Sequence, residues 1–213
     1  VRRALEHGAA VIVEKPMCTT LKDADEFVAL GEHSGHRVLY ADNVLHAPVM
    51  REFLRRVPTI GPVRDLEVRA IHPAPSWRTP LDPTWGGGAL LDLGVQALAL
   101  AVSAAAPAVP RSIEARVGRS GAGSDGVDDH AEMVVTFTDG LRARVVASYR
   151  ANGVSQWDAQ AAGEHGVGHH THQPHVATPE DEADVPPHHL VGQGSGRRRI
   201  VGPDARTRPA EHA

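Results

Sequence analysis

A lysine directly follows the most clearly predicted strand of this chain. Residues 9–13 (Ala-Ala-Val-Ile-Val) are apolar and partly β-branched, which is typical of a buried parallel strand. The next residues are Glu14, Lys15 and Pro16. Because ligands of open α/β sheets bind beyond the carboxyl ends of the strands, Lys15 is expected to face a ligand. Its ammonium could then hydrogen-bond a substrate hydroxyl or take part in proton transfer. The alternative is a solvent-exposed lysine after an edge strand.

A second candidate for chemistry follows a run of three glycines, residues 86–88. Such a run lets the backbone approach a ligand closely, and the helix predicted after it directs its positive dipole end toward the same place. Asp92 lies one turn into this helix, with Gln96 on the same face at i+4. A carboxylate there can act as an acid or base, whereas the Gln96 amide can hold a hydroxyl but cannot usefully accept or release a proton near neutral pH. A tight turn with a polar residue on a core helix is the alternative.

Residues 9–20 and 85–96 together resemble the Gfo/Idh/MocA family of NAD(P)-dependent oxidoreductases, which act mostly on sugars, cyclitols and related polyols. The resemblance implies NAD or NADP as cofactor and acid–base roles for Asp92 and for position 96. The family usually has histidine where this chain has Gln96. The resemblance also implies a loop beside the nicotinamide, with the cofactor-binding residues Glu14, Lys15 and Pro16.

Further site residues are expected in two segments between these motifs. His46, just before a helix predicted to begin at Pro48, could carry the proton in place of Gln96; a purely structural histidine is the alternative. The catalytic candidates are therefore Lys15, Asp92, Gln96 and His46. The substrate-binding candidates are Asn43, Trp77, Arg78 and Trp85. Aromatic faces suit carbohydrate rings, although a tryptophan that anchors a long loop is the commoner case. No metal site is predicted, since the histidines near the end of the chain fall in a low-complexity stretch.

The elements that must position these residues suggest an α/β part followed by an α+β part. In residues 1–41, helix and strand patterns alternate, as in the last part of a doubly wound dinucleotide-binding (Rossmann-like) domain. Residues 42–167 predict a mostly antiparallel sheet with helices on one face, including a hairpin at Asp139-Gly140. Its predicted helices are 48–57 and 89–104, and its predicted strands are 63–71, 113–117, 132–138, 141–149 and 155–161.

The last segment, residues 168–213, has a different composition. It is rich in His, Pro, Gly and Arg, it has no aromatic residue, and its aliphatic residues show no period. Such a segment buries too little apolar surface to offset the entropy cost of ordering. It is therefore expected to be a disordered tail.

Composition bears on three questions: nucleic-acid binding, membrane association and cellular location. The net charge of −4 gives no basic footprint for nucleic acid, so no nucleic-acid partner is expected. Apolar stretches fall short of a membrane span, and no signal segment is recognised at the start, so no membrane association is expected. The only cysteine, Cys18, suits a reducing compartment, which predicts a cytoplasmic location.

The resemblance implies hydride transfer between NAD(P) and a sugar, cyclitol or related polyol. No Gly-x-Gly-x-x-Gly turn precedes Lys15, so the chain resembles a family member without its N-terminal glycine-rich half and is expected to be inactive as it stands. Homo-oligomerisation through the C-terminal sheet is also expected. The alternative function is a non-catalytic dimerisation or binding module derived from the same family.

Overall fold

The computed structural model describes residues 1–35, 37–77, 79–119 and 126–172. All of them belong to one compact unit, Val1–Pro174. The substrate-binding prediction for Arg78 and most of the predicted tail, from residue 173 onward, lie outside the described residues.

The N-terminal part contains two parallel strands and two helices, as the sequence predicts. Helix α1 (Arg2–Glu6) leads to strand β1 (Val11–Glu14), and helix α2 (Leu21–Ser34) leads to strand β2 (Val38–Ala41). The two strands pair in parallel along their whole length, with Val11 opposite Val38 and Glu14 opposite Ala41. Their carboxyl ends therefore lie side by side, which places the residues after Glu14 next to those after Ala41.

The C-terminal part is a six-stranded sheet in the order β4-β5-β6-β3-β7-β8. Only β3 and β6 pair in parallel, and every other pair is antiparallel, which confirms the predicted sheet type. The strands are β3 (Val63–Ile71), β4 (Pro110–Gly118), β5 (His130–Phe137), β6 (Arg142–Ser148), β7 (Gln156–Gly163) and β8 (Gly166–His172).

Strand β8 crosses the predicted domain boundary at residue 167. It pairs with β7 as far as His172, which lies opposite Trp157, so residues 168–172 belong to the sheet and not to a tail. Composition misleads here because an edge strand is held by main-chain hydrogen bonds, which do not require apolar side chains.

The core lies between the sheet and two helices, α3 (Pro48–Arg56) and α4 (Val95–Ala105). Phe53 of α3 and Leu100 of α4 are fully buried against the inward side chains of β3, β5, β6 and β7. The helical segment Pro83–Ala105 is long and apolar enough to cross a membrane, but 56% of its most apolar window is buried inside the domain. Its apolar character is thus accounted for by the core.

Candidate active site

Lys15 and Asp92 meet at the carboxyl end of β1. The Lys15 ammonium donates to Asp92 Oδ1 at 2.6 Å and to the Asp92 main-chain oxygen at 3.0 Å. The two side chains are only 24% and 20% exposed, so the ion pair is partly shielded from water. The predicted convergence of these two residues is confirmed. Glu14 flanks the pair: its Oε2 accepts the Lys15 main-chain N–H, and the Lys15–Pro16 peptide bond is cis.

Asp92 lies in a single π-helical turn, Leu90–Gly94, directly before α4. The sequence predicts an ordinary α-helix here. The Asp128 carboxylate holds the start of the turn because its Oδ2 accepts the Leu90 main-chain N–H at 2.8 Å. Single π turns occur frequently at functional sites, where they shift a side chain relative to the helix around it.

The three glycines before this turn make room for other parts of the protein. Gly86 and Gly88 have φ angles of 70° and 120°, which side chains rarely adopt. A side chain on Gly87 would place its Cβ 2.6 Å from the Pro80 main-chain oxygen. Side chains at the other two would collide with Thr19 and with Asp128. The glycines are therefore required by the packing against the loop after β1 and the loop before β5, and their close approach to a ligand stays a prediction.

Tyr149 was missed as a site residue. Its hydroxyl donates to Asp92 Oδ2 at 2.8 Å, opposite the oxygen that Lys15 holds. Burial, and then the charges of Asp92 and Asp128, raise the pKa of Tyr149 well above its usual value near 10. The phenol therefore remains a hydrogen-bond donor at every working pH. A buried tyrosine at the end of an apolar strand face was the available signal, since its hydroxyl needs a partner.

Replacing Tyr149 with phenylalanine is expected to lower the free energy of unfolding by about 1.5–3 kcal/mol, the usual contribution of a hydrogen bond to a charged group. Urea denaturation measures it. Tyr40→Phe, at the other and more exposed tyrosine, is the control and should change stability by less. Equal effects of the two substitutions would contradict the role given to the Tyr149 hydroxyl.

Gln96 is held by residues at the carboxyl end of β2. Its amide nitrogen donates to Asp42 Oδ1 at 3.2 Å and to Asn43 Oδ1 at 2.8 Å, which uses both amide hydrogens. Gln96 is 5% and Asp42 3% exposed. The Gln96 oxygen is left to accept a hydrogen bond. Asp42 was also missed, although a carboxylate directly after the second strand was the available signal.

Gln96→Leu is expected to lower the free energy of unfolding by about 1–3 kcal/mol, because the buried Asp42 carboxylate would lose a donor. Gln160→Leu, at an exposed position of β7, is the matched control. A thermal or urea melt compares them, and a Gln96 variant as stable as the control would contradict this contact.

A cavity of about 310 Å³ opens beside the Lys15–Asp92 pair. Trp77 and Trp157 form apolar walls. The polar side chains that line it are Lys15, Asn43, His72, Asp92 and Gln96. A few convergent polar groups between aromatic walls are typical of a small-molecule site.

Several predicted site residues do not line this cavity. His46 and Trp85 are exposed and are absent from its described lining. Glu14 and Pro16 flank Lys15 without lining it. Conversely, sequence analysis missed His72 and Trp157. His72 directly follows the predicted strand 63–71, so the argument that singled out Lys15 could have found it.

Two family models match the chain. Residues 54–168 match the GFO/IDH/MocA C-terminal domain, and residues 1–41 match an oxidoreductase family with an NAD-binding Rossmann fold. The boundary between these matches agrees with the change from the β1–β2 pair to the six-stranded sheet.

Individual relatives cover the chain in part. The dTDP-3,4-didehydro-2,6-dideoxy-alpha-D-glucose 3-reductase of Streptomyces antibioticus is 35% identical over 106 residues, which are 48% of this chain and 32% of that protein. GenD2 from gentamicin A biosynthesis, solved in complex with NAD, is 22% identical with a TM-score of 0.74, over 79% of this chain and 49% of that one. An inositol dehydrogenase homolog from Azotobacter vinelandii, complexed with NAD⁺, is 19% identical with a TM-score of 0.68, over 76% and 45%.

At such identities the solved structures show a shared fold. The chain spans about a third of the length of the curated relative and about half of the length of these solved structures. The C-terminal family model alone matches more than half of the chain, and the Rossmann model matches its start. The chain therefore belongs to the Gfo/Idh/MocA family of NAD-binding oxidoreductases.

Proposed function

We propose that the protein transfers a hydride between NAD(P) and a hydroxyl-bearing carbon of a sugar, cyclitol or related polyol. The observation that carries the proposal is the Lys15–Asp92 pair, 2.6 Å between Nζ and Oδ1, on the wall of a 310 Å³ cavity with polar and aromatic sides. The names of the relatives support the substrate class, since they include a deoxysugar reductase and an inositol dehydrogenase homolog.

The residues present fit the nicotinamide end of the cofactor. The carboxyl ends of two parallel strands adjoin the cavity, which is where doubly wound sheets bind dinucleotides. Glu14, Lys15 and Pro16 would hold that end, and the cofactor when bound supplies the hydride acceptor or donor. Residues 1–14 contain no glycine-rich turn for a pyrophosphate. The proposed activity therefore requires a form of the protein that also has such a turn, and residues 1–213 alone are predicted not to turn over NAD(P).

Each of the main residues that line the cavity has a distinct role in this proposal. Lys15 brings a positive charge to the cavity and would donate to the oxygen of the reacting hydroxyl. Asp92 is fixed from two sides, by Lys15 and by Tyr149, and so keeps the ammonium in place. The free oxygen of Gln96 would accept from a second substrate hydroxyl. Trp77 and Trp157 would pack against the apolar face of a sugar ring.

A turnover assay tests the proposal. The longest native form that contains this chain is mixed with NAD⁺ or NADP⁺ and a panel of cyclitols, aldoses and sugar nucleotides, and reduced cofactor is followed by its absorbance. We expect turnover with at least one polyol, and its loss when either Lys15 or Asp92 is replaced. Cofactor binding without turnover of any of these classes would contradict the proposal.

A second candidate is a dimerisation module. The sheet face opposite the helices exposes Arg142 and Arg144, and Arg144 forms ion pairs with Glu67 at 2.5 Å and with Glu132 at 2.6 Å. The Arg144 guanidinium in turn lowers the pKa of Glu132. Because these charges are already paired within the chain, self-association through this face would form a polar interface and not an apolar one. Gel filtration distinguishes the two functions: a dimer that binds neither NAD(H) nor NADP(H) favours the module.

A further inference from the structure

Among the residues that the structure describes, His72 is the histidine that lines the cavity. It follows β3, which pairs in parallel with β6 and antiparallel with β7. Its main-chain N–H donates to the Ser148 oxygen at 2.8 Å, and the next residue, Pro73, bridges to Arg150. The backbone that carries this ring is therefore anchored on the sheet and not on a free loop.

One hydrogen bond fixes which ring nitrogen carries the proton. His72 Nδ1 lies 2.7 Å from the Pro73 main-chain oxygen. A carbonyl oxygen can only accept, so Nδ1 must be the donor. In the neutral ring the lone pair is then on Nε2, which is free to accept a proton.

The other charged and amide groups in the described lining of the cavity are poorly suited to accept a proton from the substrate. The Gln96 amide cannot exchange a proton near neutral pH, and both its hydrogens are already donated. Lys15 and Asp92 neutralise each other as an ion pair. Arg150, which follows the neighbouring strand β6, is likewise paired with Asp129. The charged groups around His72 are thus paired, and its ring is the group on this wall suited to proton exchange.

We infer that His72 Nε2 is the general base and acid of the reaction, in place of a residue at position 96. This inference rests on the proposed function. In the direction of oxidation, the substrate O–H bond breaks and its proton passes to Nε2. The electron pair of that bond forms the C=O double bond, while the hydride leaves the carbon for the oxidised nicotinamide cofactor. The imidazolium returns its proton to solvent, and reduction reverses each step.

The first test is kinetic. His72→Asn preserves a donor for the Pro73 oxygen but removes Nε2, and kcat is expected to fall about 10²–10⁴-fold with little change in KM. The kcat/KM profile of the variant should lose the pH dependence that a general base imposes, whereas the control should keep it. His33→Asn is the matched control, because His33 Nδ1 makes the same kind of contact, 2.6 Å to the Ala29 oxygen, at an exposed site on α2. It should leave kcat within about twofold.

The second test does not need turnover. Long-range ¹H–¹⁵N spectra of the cofactor-free protein report the tautomer of each histidine, with His72→Asn assigning the signal. We expect His72 with Nδ1 protonated, and we expect added myo-inositol to shift its ring signals.

An Nε2-protonated ring, or a ring that no polyol of the panel perturbs, myo-inositol included, would overturn the inference. So would unchanged kcat in His72→Asn, or a loss seen with His46→Asn instead. Failure of the native protein to turn over any polyol contradicts the proposed function. If the His72 ring is then also unresponsive to myo-inositol, the His72 inference is wrong as well. If the ring does respond, the site binds polyols beside His72 although the proposed reaction is wrong.

Discussion

Lys15→Ala is expected to lower kcat/KM for the NAD(P)-dependent reaction by about 10²–10⁴-fold, the range for loss of a positioned donor or charge in an active site. The substitution removes the cation from the cavity wall. It also leaves Asp92 Oδ1 without the partner that lies at 2.6 Å, so an unpaired carboxylate would face the substrate oxygen. Steady-state kinetics with the best polyol of the panel measure the loss.

Lys22→Ala is the matched control, because Lys22 is the only other lysine of the chain and lies exposed on α2. It should leave kcat/KM within about twofold. Thermal unfolding of both variants shows whether the loss is one of folding. If a folded Lys15→Ala protein retains more than about a tenth of the activity, Lys15 has no chemical role, since that loss is below the range of such groups.

Phe53→Ala is expected to lower the free energy of unfolding by about 3–5 kcal/mol, the usual cost of truncating a buried phenylalanine. Phe53 is 0% exposed on α3 and packs in the core beneath the cavity floor, where Met50 of the same helix is a lining residue. Urea denaturation with a constant m-value measures the change.

Leu21→Ala is the control, because Leu21 also loses apolar atoms but is 85% exposed at the start of α2. Its effect should remain below about 0.5 kcal/mol. Similar losses at the two positions would contradict the core described between α3, α4 and the sheet.

The main helices and strands could be predicted from the sequence because their apolar residues recur at a clear helical or strand spacing. Residues 141–149 alternate between apolar and polar types, and β6 correspondingly exposes Arg142 and Arg144 and buries its other residues. The Thr20 side chain caps the start of α2, and Gly35 ends it in the left-handed conformation. The contact between Lys15 and Asp92 could also be predicted. Ligands bind beyond the carboxyl ends of parallel strands, and the resemblance to a known family indicated a site with the same two residues. Strand β8 could not be predicted, because main-chain pairing at a sheet edge leaves no apolar period.

The rest of the site depended on contacts distant in sequence. Tyr149 looked like one more apolar residue of the predicted strand 141–149, but its hydroxyl donates to Asp92. The glycine run suggested a ligand, whereas its neighbours are the protein's own loops. His72 differs, because its place after a central strand was visible in the sequence. Its importance emerged only when the structure placed it on the cavity wall and showed that Gln96 donates to Asp42 and Asn43.

Deuterium transfer is the measurement that tests hydride chemistry at this site most directly. The native protein is incubated with NAD⁺ or NADP⁺ and with polyols deuterated at the hydroxyl-bearing carbons, and the reduced cofactor is analysed by mass spectrometry and NMR. The proposed function predicts deuterium at C4 of the nicotinamide with at least one polyol, and its absence with Lys15→Ala. Cofactor that binds but acquires no deuterium from any polyol of the panel would contradict it.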